Sequence, residues 1–476
     1  MTGFESRVPF PGTFRLSEAA STLLDALAAV GGRPFVVGGS VRDALLEPEL
    51  TFKDVDVEVF HLDVDAVAAA LRTVGLVDEV GRAFSVLKVR VDGQDFDVSL
   101  PRREVKSGDG HRGFDVVADP RTSLVKASAR RDFTLNALLF DPATGELVDC
   151  WGGLDDLRAG VLRHTTPAFA EDPLRVLRAV QFAARFGLRL APETAELCRE
   201  LVGEFEHLST ERVWTEWYKI ATRGKHMARA LTVLVETGWD VHFPELSALR
   251  GLKQDLRWHP EGDVFTHTGL AGDQAARLAD EAGLVGDDRA VIVLGTLLHD
   301  VGKVDHTQFS RRKDGTLKVS SHGHAEAGVA PARTFLRAIG APHHLTRRVL
   351  PLVAEHMVTA STNKPTAAAV RRLARRLAPA TMTEWALVVE ADKGGRGRGS
   401  RPGGTGPWLA LAEEVGAEQT PVTGLLRGEH LIEVGMMPGP AFGPLLRAAL
   451  AAQDDGEFED EAGAKTWLAA RLHTSS

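Results

Sequence analysis

The hydrophobic periodicity of this chain changes between about residues 140 and 165, and this change constrains the fold more than any other feature. In the first part, short segments alternate polar and apolar residues with the two-residue period of a β-strand, and they are mixed with helical segments. From about residue 165 onward, apolar residues recur almost entirely with the 3.6-residue period of amphipathic helices. The sequence therefore predicts an α+β N-terminal part with an antiparallel or mixed sheet, followed by an all-α remainder.

Local end signals define individual elements within these two parts. Ser40 is predicted to be the N-cap of a helix, because a serine oxygen can accept a hydrogen bond from the first free N–H groups. Asp92-Gly93 predicts the turn of a β-hairpin. The predicted elements are strands over 35–37, 54–60, 84–91 and 94–100, helices over 40–46, 64–75, 173–188 and 192–205, and a loop over 394–406.

Composition excludes several classes of protein. The 476 residues, of which 44% are hydrophobic and 25% charged, have the composition of a globular protein of roughly two to four domains. Cys150 and Cys198 lack the spacing of a zinc site or a disulfide framework, which fits a reducing cytoplasm. The N-terminal residues carry charge and proline where a signal peptide needs an apolar run. Because no run of about 18 apolar residues occurs, we expect no membrane span.

The net charge of −9 argues mildly against a nucleic-acid-binding protein, which usually has a basic excess. Local basic clusters can nevertheless bind RNA on an acidic protein, and each of them is equally compatible with a solvated helix face or loop. The clusters are Arg102/Arg103/Lys106, Arg130/Arg131, Arg347/Arg348 and Arg371/Arg372/Arg375/Arg376.

Two glycines and two aspartates in the first part indicate a site for a phosphate-bearing ligand. Gly38 and Gly39 allow close approach of the backbone to a ligand, and the predicted helix that follows offers free N–H groups to a phosphate. Asp54 and Asp56 are two residues apart on a predicted strand, so their side chains point to the same face. Adjacent carboxylates repel each other and favour a shared divalent cation, for which Mg²⁺ is suited by its preference for oxygen ligands. Each feature alone is also compatible with an ordinary turn or with exposed carboxylates.

Together with motifs further along the chain, these residues resemble a known family. Gly38-Gly39-Ser40-Val41-Arg42-Asp43 followed by Asp54-Val55-Asp56 resembles the head of the DNA polymerase beta nucleotidyltransferase superfamily. The remaining motifs are similar to those of class II tRNA nucleotidyltransferases, or CCA-adding enzymes, and bacterial poly(A) polymerases. These motifs are Arg130–Ala137 (RRDFTLNA), Asp149–Gly153 (DCWGG, where the family often has Asp-Pro-aromatic), Glu171–Arg175 (EDPLR), Thr210–Val213 and Gly435–Pro440.

The resemblance implies roles for the matching residues. Asp54 and Asp56 would bind Mg²⁺ and act in catalysis, with Asp97 as a candidate third carboxylate. Asp172 and Arg175, three apart on a predicted helix and so on one face, would bind the base edges of CTP and ATP in place of a nucleic-acid template. The nucleotide-binding set as a whole would be Gly38, Gly39, Arg42, Arg131, Asp132, Asn136, Asp172 and Arg175.

A second group of metal-ligand residues lies in the helical part and resembles the HD phosphohydrolases. His299-Asp300 follows an apolar helical segment, and further histidines and an aspartate lie on either side of it. The resemblance implies that His267, His299, Asp300 and Asp392 bind a first metal ion. It also implies that His324 and His356 support a second, with His322 as a stand-in for His324. Imidazole with carboxylate suits Mn²⁺, Ni²⁺ or Co²⁺ better than Mg²⁺. His259, His306, His343 and His344 are expected to be ordinary surface or core residues.

The fold class implied is a polymerase beta-like α+β head followed by an all-α neck and body, an HD domain and a tail. The predicted domains are residues 1–145 (head), 146–258 (neck and body), 259–395 (HD) and 396–476 (tail). We expect addition of CCA to tRNA or other RNA 3′ ends from CTP and ATP, with an HD activity on 2′,3′-cyclic phosphates or 2′-phosphates. The alternatives are a poly(A) polymerase or a CC- or A-adding enzyme, an RNA-binding HD hydrolase with an inactive head, and a nucleotide-sensing regulator.

Overall fold

The computed structural model describes residues 3–47, 51–52, 55–78, 86–106, 114–362, 364–397 and 404–473. Its contacts divide the chain into two compact units. Unit 1 comprises Met1–Ala179 and Leu188–Glu204, and unit 2 comprises Val180–Gly187 and Phe205–Ser476. The mixed-sheet head followed by helical domains agrees with the predicted fold class, whereas the boundaries of the four predicted domains stay a prediction.

Unit 1 is built on a mixed β-sheet. Within the described residues, eight strands form this sheet in the order β1-β12-β11-β3-β5-β8-β7-β6, and β5–β8 is its parallel pair. The predicted hairpin is β7–β8, and Asp92 (φ 46°) and Gly93 (φ 78°) both adopt the left-handed conformation that a type I′ turn requires. The strands of unit 1 up to the end of the sheet are β1 (Ser6–Pro9), β2 (Arg15–Leu16), β3 (Arg33–Val37), β4 (Thr51–Phe52), β5 (Asp56–Phe60), β6 (Leu76–Asp78), β7 (Val86–Val91), β8 (Gln94–Ser99), β9 (Arg102–Lys106), β10 (Phe114–Ala118), β11 (Leu139–Asp141) and β12 (Glu146–Asp149).

Strand β5 shows how the sheet separates its two faces. Val57 and Val59 belong to a core that includes residues of the helices on one face, whereas Phe60 belongs to the core on the other face. Asp56 and Glu58 alternate with the valines and so share the face of Phe60. The helices of unit 1 are α1 (Glu18–Ala29), α2 (Gly39–Leu46), α3 (Val64–Leu71), α4 (Leu124–Ser128), α5 (Gly153–Ala159), α6 (Leu174–Phe186, which continues into unit 2) and α7 (Pro192–Glu200). Two further short strands, β13 (Val161–Leu162) and β14 (Arg189–Leu190), pair with each other.

Four helices in unit 1 have boundaries that differ from the predictions. Helix α7 ends at Glu200, before the predicted residue 205. Helix α2 begins at Gly39 with Gly38 as its N-cap, so Ser40 lies inside the helix and does not cap it. Helix α3 ends at Leu71, before the predicted residue 75. Helix α6 begins at Leu174, so Asp172 precedes it in an extended conformation and does not share a helical face with Arg175. Pro173 explains this boundary, because proline disfavours the helical conformation of the residue before it.

Unit 2 is mainly helical. Its helices after α6 are α8 (Thr210–Arg223), α9 (Met227–Glu236), α10 (Pro244–Ser247), α11 (Val264–Glu281), α12 (Gly286–Leu298), α13 (Lys303–His306), α14 (His324–Ala327), α15 (Val329–Ala338), α16 (His343–Glu355), α17 (Val358–Ser361), α18 (Ala367–Leu377), α19 (Met382–Gly394), α20 (Gly406–Glu414), α21 (Gly428–Glu433), α22 (Phe442–Asp454) and α23 (Glu461–His473). No helix in the described ranges is long and apolar enough to cross a membrane. Part of the predicted loop over 394–406 lies outside the described residues.

A β-hairpin interrupts the helices of unit 2 and was not predicted. Strands β15 (Gln308–Arg311) and β16 (Leu317–Ser320) pair antiparallel, and Gly315 in the turn has a φ of 77°. The Asp314-Gly315 dipeptide is a hairpin signal. The strands themselves are mostly exposed and lack the apolar alternation of a buried strand, which is why the pattern of residues did not reveal them.

Helix α12 is the central helix of unit 2. All residues from Arg289 to Leu298 are buried, because α8, α11, α16 and α19 pack around the helix. Burial of each large aliphatic side chain here contributes about 1.5–3 kcal/mol. The single charged side chain in this run, Arg289, pairs with Asp280 and donates to the carbonyl oxygens of Ala221 and Gly224. The helix therefore delivers the residues at its C-terminal end, His299 and Asp300, to a fixed place in the interior.

Replacement of Gly302 by alanine should destabilise unit 2. A Cβ atom at this position would lie 2.1 Å from the carbonyl oxygen of His324 and 2.5 Å from the backbone nitrogen of Gly328. Overpacking against backbone costs about 1–3 kcal/mol. Gly203→Ala is the matched control, since a Cβ there meets no atom within 4 Å. Thermal unfolding of the full chain should show a lower midpoint for Gly302→Ala alone, and equal midpoints for the two variants would contradict this packing.

Candidate active sites

The first candidate site lies in unit 1 at the start of strand β5. Asp56 begins β5 and pairs in register with Asp97 on β8. Displacement of water by the surrounding protein raises the pKa of Asp56, and the charge of Asp97 raises it further, against the opposing effects of Arg131 and Lys88. Lys88 also forms an ion pair with Asp97 at 3.0 Å. Asp54 lies outside the described residues, so the predicted pair of aspartates is seen here through Asp56 alone.

The Gly38-Gly39 turn places Asp56 beside Arg131. Gly38 has a φ of 74°, and a Cβ built on it would lie 3.4 Å from Oδ2 of Asp56 and 3.4 Å from Nη1 of Arg131. A Cβ on Gly39 would lie 3.4 Å from Nη2 of Arg42. A side chain at Gly38 would both strain the backbone and fill the space between a carboxylate and a guanidinium. The carboxylate oxygens suit a hard cation such as Mg²⁺, and the guanidinium suits a phosphate.

A buried network joins the helix after this turn to the RRDFTLNA segment. Arg42 donates from Nη1 to Oδ1 of Asn136 at 2.5 Å, and Asn136 donates from Nδ2 to Oδ1 of Asp132 at 2.8 Å. Asp132 accepts from Nε of Arg178 at 2.7 Å and from the backbone nitrogen of Phe133 at 2.8 Å. Burial alone would raise the pKa of Asp132, but Arg178 and the hydrogen bonds hold it below the ordinary value. Arg178, which the sequence analysis missed, lies one helical turn after Arg175.

A cavity of about 320 Å³ lies against the same strand face. Its lining includes Glu58, two residues after Asp56, together with Arg130, Arg131 and Arg175. Arg131 lies 3.8 Å from Glu58, and Arg175 donates to the carbonyl oxygen of Arg130 at 2.9 Å and to that of Ala168 at 2.6 Å. The structure therefore brings the strand of Asp56 and the predicted base-selecting Arg175 to one region of unit 1.

Two other predicted motif residues, Asp172 and Asp149, accept hydrogen bonds from the backbone at the start of a helix. Asp172 accepts a hydrogen bond from the backbone nitrogen of Leu174 at 3.2 Å, at the start of α6. Asp149 accepts from the backbone nitrogens of Trp151, Gly152 and Gly153 with Oδ1 and from that of Leu154 with Oδ2, at 2.9–3.0 Å. The Asp149–Gly153 motif thus fixes the start of α5.

The second candidate site lies in unit 2, where the ends of five helices converge. His267 lies in the first turn of α11, His299 and Asp300 follow the last turn of α12, and His324 begins α14. His356 follows the last turn of α16, and Asp392 lies in the last turns of α19. All six residues are at least nine-tenths buried. All six predicted ligands therefore come together, although they are spread over more than 120 residues of sequence.

Each histidine is oriented by a hydrogen bond on its Nδ1 atom. The Nδ1 atoms of His299, His324 and His356 lie 2.6, 2.6 and 2.8 Å from carbonyl oxygens three residues earlier in the chain. The Nδ1 atom of His267 lies 2.7 Å from Oε1 of Glu261. Because a carbonyl can only accept, Nδ1 carries the proton in the first three rings and Nε2 is left with its lone pair. Four Nε2 atoms thus face the interior of the cluster.

Asp300 lies between two pairs of histidines. Its Oδ2 atom is 3.2 Å from Nε2 of His299 and 3.8 Å from Nε2 of His267, whereas its Oδ1 atom is 3.2 Å from Nε2 of His324 and 3.9 Å from Nε2 of His356. This arrangement is typical of a carboxylate that can contact two cations at once.

The spacing and burial of these donor atoms fit a metal site. The ligand-type atoms of His267, His299 and Asp392 lie within 4.8 Å of one another, and so do those of His299, Asp300 and His356. The Nε2 atom of His299 is buried without a hydrogen-bond partner, which is costly for a polar atom unless it binds an ion. Imidazole nitrogens with carboxylate oxygens are a donor set for transition metals.

The charges of the cluster shift several pKa values. Burial would raise the pKa of Asp300 and Asp392, but neighbouring histidines and cations hold both well below the ordinary value. Burial, reinforced by repulsion from neighbouring histidines, lowers the pKa of His356 to about 3. Although burial disfavours its charged form, hydrogen bonds to Asp392 and Glu261 raise the pKa of His267 to about 9. These surroundings thus favour the charged form of the His267 ring and the neutral form of the His356 ring.

Three residues at this site were missed or misjudged from the sequence. Glu261 accepts from both His267 and His259, and these hydrogen bonds lower its pKa to about 2 against the effect of burial. His259, expected to be an ordinary histidine, is therefore part of the hydrogen-bonded surroundings of the cluster. Lys303, which was also not predicted, lies 2.6 Å from Asp300.

The sequence offered one signal for Glu261, namely an acidic residue six positions before His267. His322, the stand-in for His324, is exposed and lines the adjoining cavity.

Replacement of Glu261 by alanine should weaken metal binding, because the carboxylate fixes the ring of His267 through Nδ1. Loss of such an orienting partner typically reduces metal affinity by about 10- to 100-fold. Titration calorimetry of the full chain with Mn²⁺ measures this, with Glu261→Gln expected to keep part of the affinity. The control is Glu326→Ala, which removes an exposed carboxylate from the cavity wall. Equal affinities for Glu261→Ala and Glu326→Ala would contradict an orienting role.

Comparison with known proteins relates both sites to described families. Residues 34–163 match the poly A polymerase head domain, and residues 187–249 match the probable RNA and SrmB-binding site of polymerase A. Residues 264–391 match the HD domain.

Solved structures share the fold at low sequence identity. A Bacillus stearothermophilus CCA-adding enzyme in complex with CTP matches with a TM-score of 0.63 and 23% identity, over 96% of this chain and 98% of that chain. A Thermotoga maritima CCA-adding enzyme complexed with tRNA matches with a TM-score of 0.52 and 20% identity, over 94% of each chain.

Curated relatives are closer in sequence. The multifunctional CCA protein of Xanthomonas campestris pv. campestris is 37% identical over 374 residues, which is 76% of this chain and 85% of the relative. That of Xylella fastidiosa is 36% identical over 373 residues, which is 76% of this chain and 84% of the relative. At this identity and coverage, the chain is a member of the family of multifunctional CCA proteins, with a poly A polymerase-type head and an HD domain.

Proposed function

We propose that this protein is a tRNA nucleotidyltransferase that adds CCA to tRNA 3′ ends from CTP and ATP and carries a metal-dependent phosphohydrolase in its HD domain. The observation that carries the proposal for the head is the meeting of Asp56, Arg131 and the Gly38 turn next to the cavity lined by Arg175. Family membership supports it independently. tRNA, CTP and ATP are the proposed partners, and a tRNA-processing role fits the cytoplasm.

The head residues divide between metal binding and nucleotide binding. Asp54 and Asp56 would hold Mg²⁺, which, when bound, would activate the RNA 3′-hydroxyl and stabilise the pyrophosphate leaving group. The Gly38-Gly39 turn lets the triphosphate approach the backbone at the start of α2. Arg131, beside Asp56, offers its guanidinium fork to the phosphate oxygens. Arg42, Asp132 and Asn136 are bonded to one another, so their contribution includes holding the site rigid.

Arg175 and Asp172 are the proposed residues for base selection. Two carbonyl oxygens fix the guanidinium of Arg175 at the cavity wall, and burial lowers its pKa. A fixed guanidinium donates and the Asp172 carboxylate accepts, so the pair can complement the base edges of both CTP and ATP after a small reorientation. Because Asp172 precedes α6 in an extended segment, it can change orientation without unwinding the helix.

The geometry of Asp300 supports an HD site with two metal ions. His267, His299, Asp300 and Asp392 would hold one ion, and His324 and His356, which lie on the other side of the Asp300 carboxylate, would support a second. Metal ions held there would lower the pKa of a bound water and polarise a phosphoryl oxygen. Mn²⁺, Ni²⁺ and Co²⁺ suit the donor set. On RNA ending in a cyclic phosphate or a 2′-phosphate, hydrolysis contributes to the free 3′-hydroxyl that nucleotide addition requires.

The proposed division of the chain is residues 1–145 for the catalytic head, 146–258 for nucleotide selection and RNA binding, 259–395 for the HD domain and 396–476 for the tail. The poly A polymerase head match at 34–163 and the HD match at 264–391 support the first and third of these.

Nucleotide addition should depend on Asp56. A tRNA that lacks CCA, offered each radiolabelled nucleoside triphosphate in turn, should accept CTP and then ATP. Asp56→Ala should reduce the rate at least about a hundredfold, because metal ions contribute several kcal/mol to transition-state stabilisation. Asp95→Ala is the control, because it removes an exposed carboxylate from strand β8. Incorporation of ATP alone would indicate an A-adding enzyme or poly(A) polymerase, and absence of incorporation by the wild type would favour a head that only binds RNA. Full nucleotide addition by Asp56→Ala would contradict the proposed role of Asp56.

The two activities should be separable. His299→Ala and Asp300→Ala each remove a buried donor from the HD cluster and should abolish hydrolysis of adenosine 2′,3′-cyclic phosphate in the presence of Mn²⁺ or Ni²⁺. The same proteins should add CTP and ATP to truncated tRNA at the wild-type rate. The Asp56→Ala variant should lose nucleotide addition and keep hydrolysis of the cyclic phosphate. Retention of hydrolysis by both HD variants would contradict the proposed second site.

A further inference from the structure

A large cavity adjoins the HD cluster. It has a volume of about 780 Å³, and its wall includes Asp300, His324, His356 and Asp392. This volume exceeds what a phosphate group needs and is within the range of about 300–1,000 Å³ that holds drug-sized ligands. The molecule that fits here therefore extends well beyond the phosphate that the metal ligands would bind.

Three cations line the cavity next to the metal ligands. Lys303 lies 2.6 Å from Asp300, Arg396 lies 3.2 Å from Asp392, and Lys393 lies 3.9 Å from Asp392. A phosphate ester bound at the cluster would have its negative charge balanced by these side chains as well as by metal ions. This part of the cavity is the phosphate-binding part.

Trp258 lines the same cavity and is exposed. All eight tryptophans of the chain lie in the described residues, and Trp258 is the one among them with a largely exposed side chain, at 67%. Three others, Trp217, Trp239 and Trp385, are fully buried in the core. A large aromatic ring in the wall of a cavity that also holds charged side chains offers a flat face to a ligand.

The backbone of Trp258 is held in place. The carbonyl oxygen of Asp255 accepts from the backbone nitrogens of Trp258 and His259, both at 2.9 Å, and the carboxylate of Asp255 pairs with Arg312 of the β15–β16 hairpin. His259, the next residue, contacts Glu261, which in turn orients His267. A chain of short contacts thus ties the backbone segment that carries the exposed ring to His267, a proposed metal ligand.

We propose that Trp258 is the base-stacking residue of the HD site and makes it selective for phosphate esters of nucleosides over those of simple alcohols. This rests on the proposed HD activity. The base would stack on Trp258 while the ribose phosphate reaches the cluster. In the hydrolysis of a 2′,3′-cyclic phosphate, the water oxygen joins phosphorus, one bond between phosphorus and a ribose oxygen breaks, and the water proton passes to that oxygen.

Kinetics on substrates with and without a base test the proposal. Trp258→Ala should lower kcat/KM for adenosine 2′,3′-cyclic phosphate, and for a short RNA ending in a cyclic phosphate, by about tenfold or more, as loss of a stacking ring does elsewhere. Hydrolysis of glycerol 2-phosphate should not change. Trp258→Phe should keep most of the activity. Phe309→Ala is the matched control, because Phe309 is 56% exposed on β15 and is not part of the cavity wall. If Trp258→Ala lowers kcat/KM for the RNA alone, the substrate of the HD site is an RNA end. If it lowers kcat/KM for both, free nucleotides are substrates as well.

Binding provides a readout that does not require turnover. Titration calorimetry of the full chain in Mn²⁺ should give a dissociation constant for adenosine 2′-monophosphate about tenfold higher in Trp258→Ala than in wild type, with no change for inorganic phosphate. Parallel changes for both ligands, no change for either, or no binding of the nucleotide by wild type would overturn the proposal. A wild-type protein that binds the nucleotide through Trp258 but hydrolyses neither ester would instead refute the HD activity and leave the stacking role supported.

Discussion

The burial of two aspartates among four histidines is the interaction on which unit 2 depends. Asp300 and Asp392 are 2% and 3% exposed, and a buried carboxylate is tolerated only when charges or hydrogen bonds compensate it. The compensating groups come from the ends of α11, α12, α14, α16 and α19, so these five helix ends must converge. The carbonyl groups that orient the histidine rings belong to the same helix ends. The apolar surface of α12 provides the stability that permits so polar a centre.

The candidate site of unit 1 is different, because it lies at the start of an inner strand of the sheet, where Asp56 is exposed and a cavity lies nearby. Here the backbone at Gly38 and one series of polar side-chain contacts fix the geometry. The left-handed Gly38 brings Asp56 and Arg131 together, and the contacts from Arg42 through Asn136 and Asp132 to Arg178 tie α2 to α6. Residues that the motif comparison assigns to nucleotide binding thus also hold one another in place.

Sequence patterns predicted the parts of this molecule that have a simple period. The alternation of Val57 and Val59 with Asp56 identified β5, and Asp92-Gly93 identified the β7–β8 turn. The same period placed Glu58 beside Asp56, but a third acidic residue on a strand did not stand out as part of a site. Boundaries were less predictable: Ser40 satisfied the rule for an N-cap, yet Gly38 took that position because only glycine readily adopts its conformation.

Contacts that follow no periodic pattern were not predicted. The six proposed HD ligands were named because a motif supplied their order, whereas Glu261 contacts one of them, His267, and does not belong to that order. The exposed strands of the β15–β16 hairpin have no apolar alternation. In both cases the missing information is a contact that has no period: Glu261 meets His267 six residues later, and the hairpin strands face solvent.

The arrangement of the arginines explains how an acidic protein can have sites for phosphate. Most of the basic cluster on α18 is paired inside unit 2: Arg375 with Asp454, Arg376 with Glu355, and Arg371 with the carbonyl oxygens of Gln453 and Asp454. These arginines join α18 to its neighbours. Arg131, by contrast, lies 3.8 Å from the nearest paired carboxylate, beyond hydrogen-bond distance, and borders a cavity. The arginines of α18 thus hold neighbouring segments together while Arg131 borders a cavity, and neither the net charge of −9 nor the density of arginines in the sequence distinguishes these two uses.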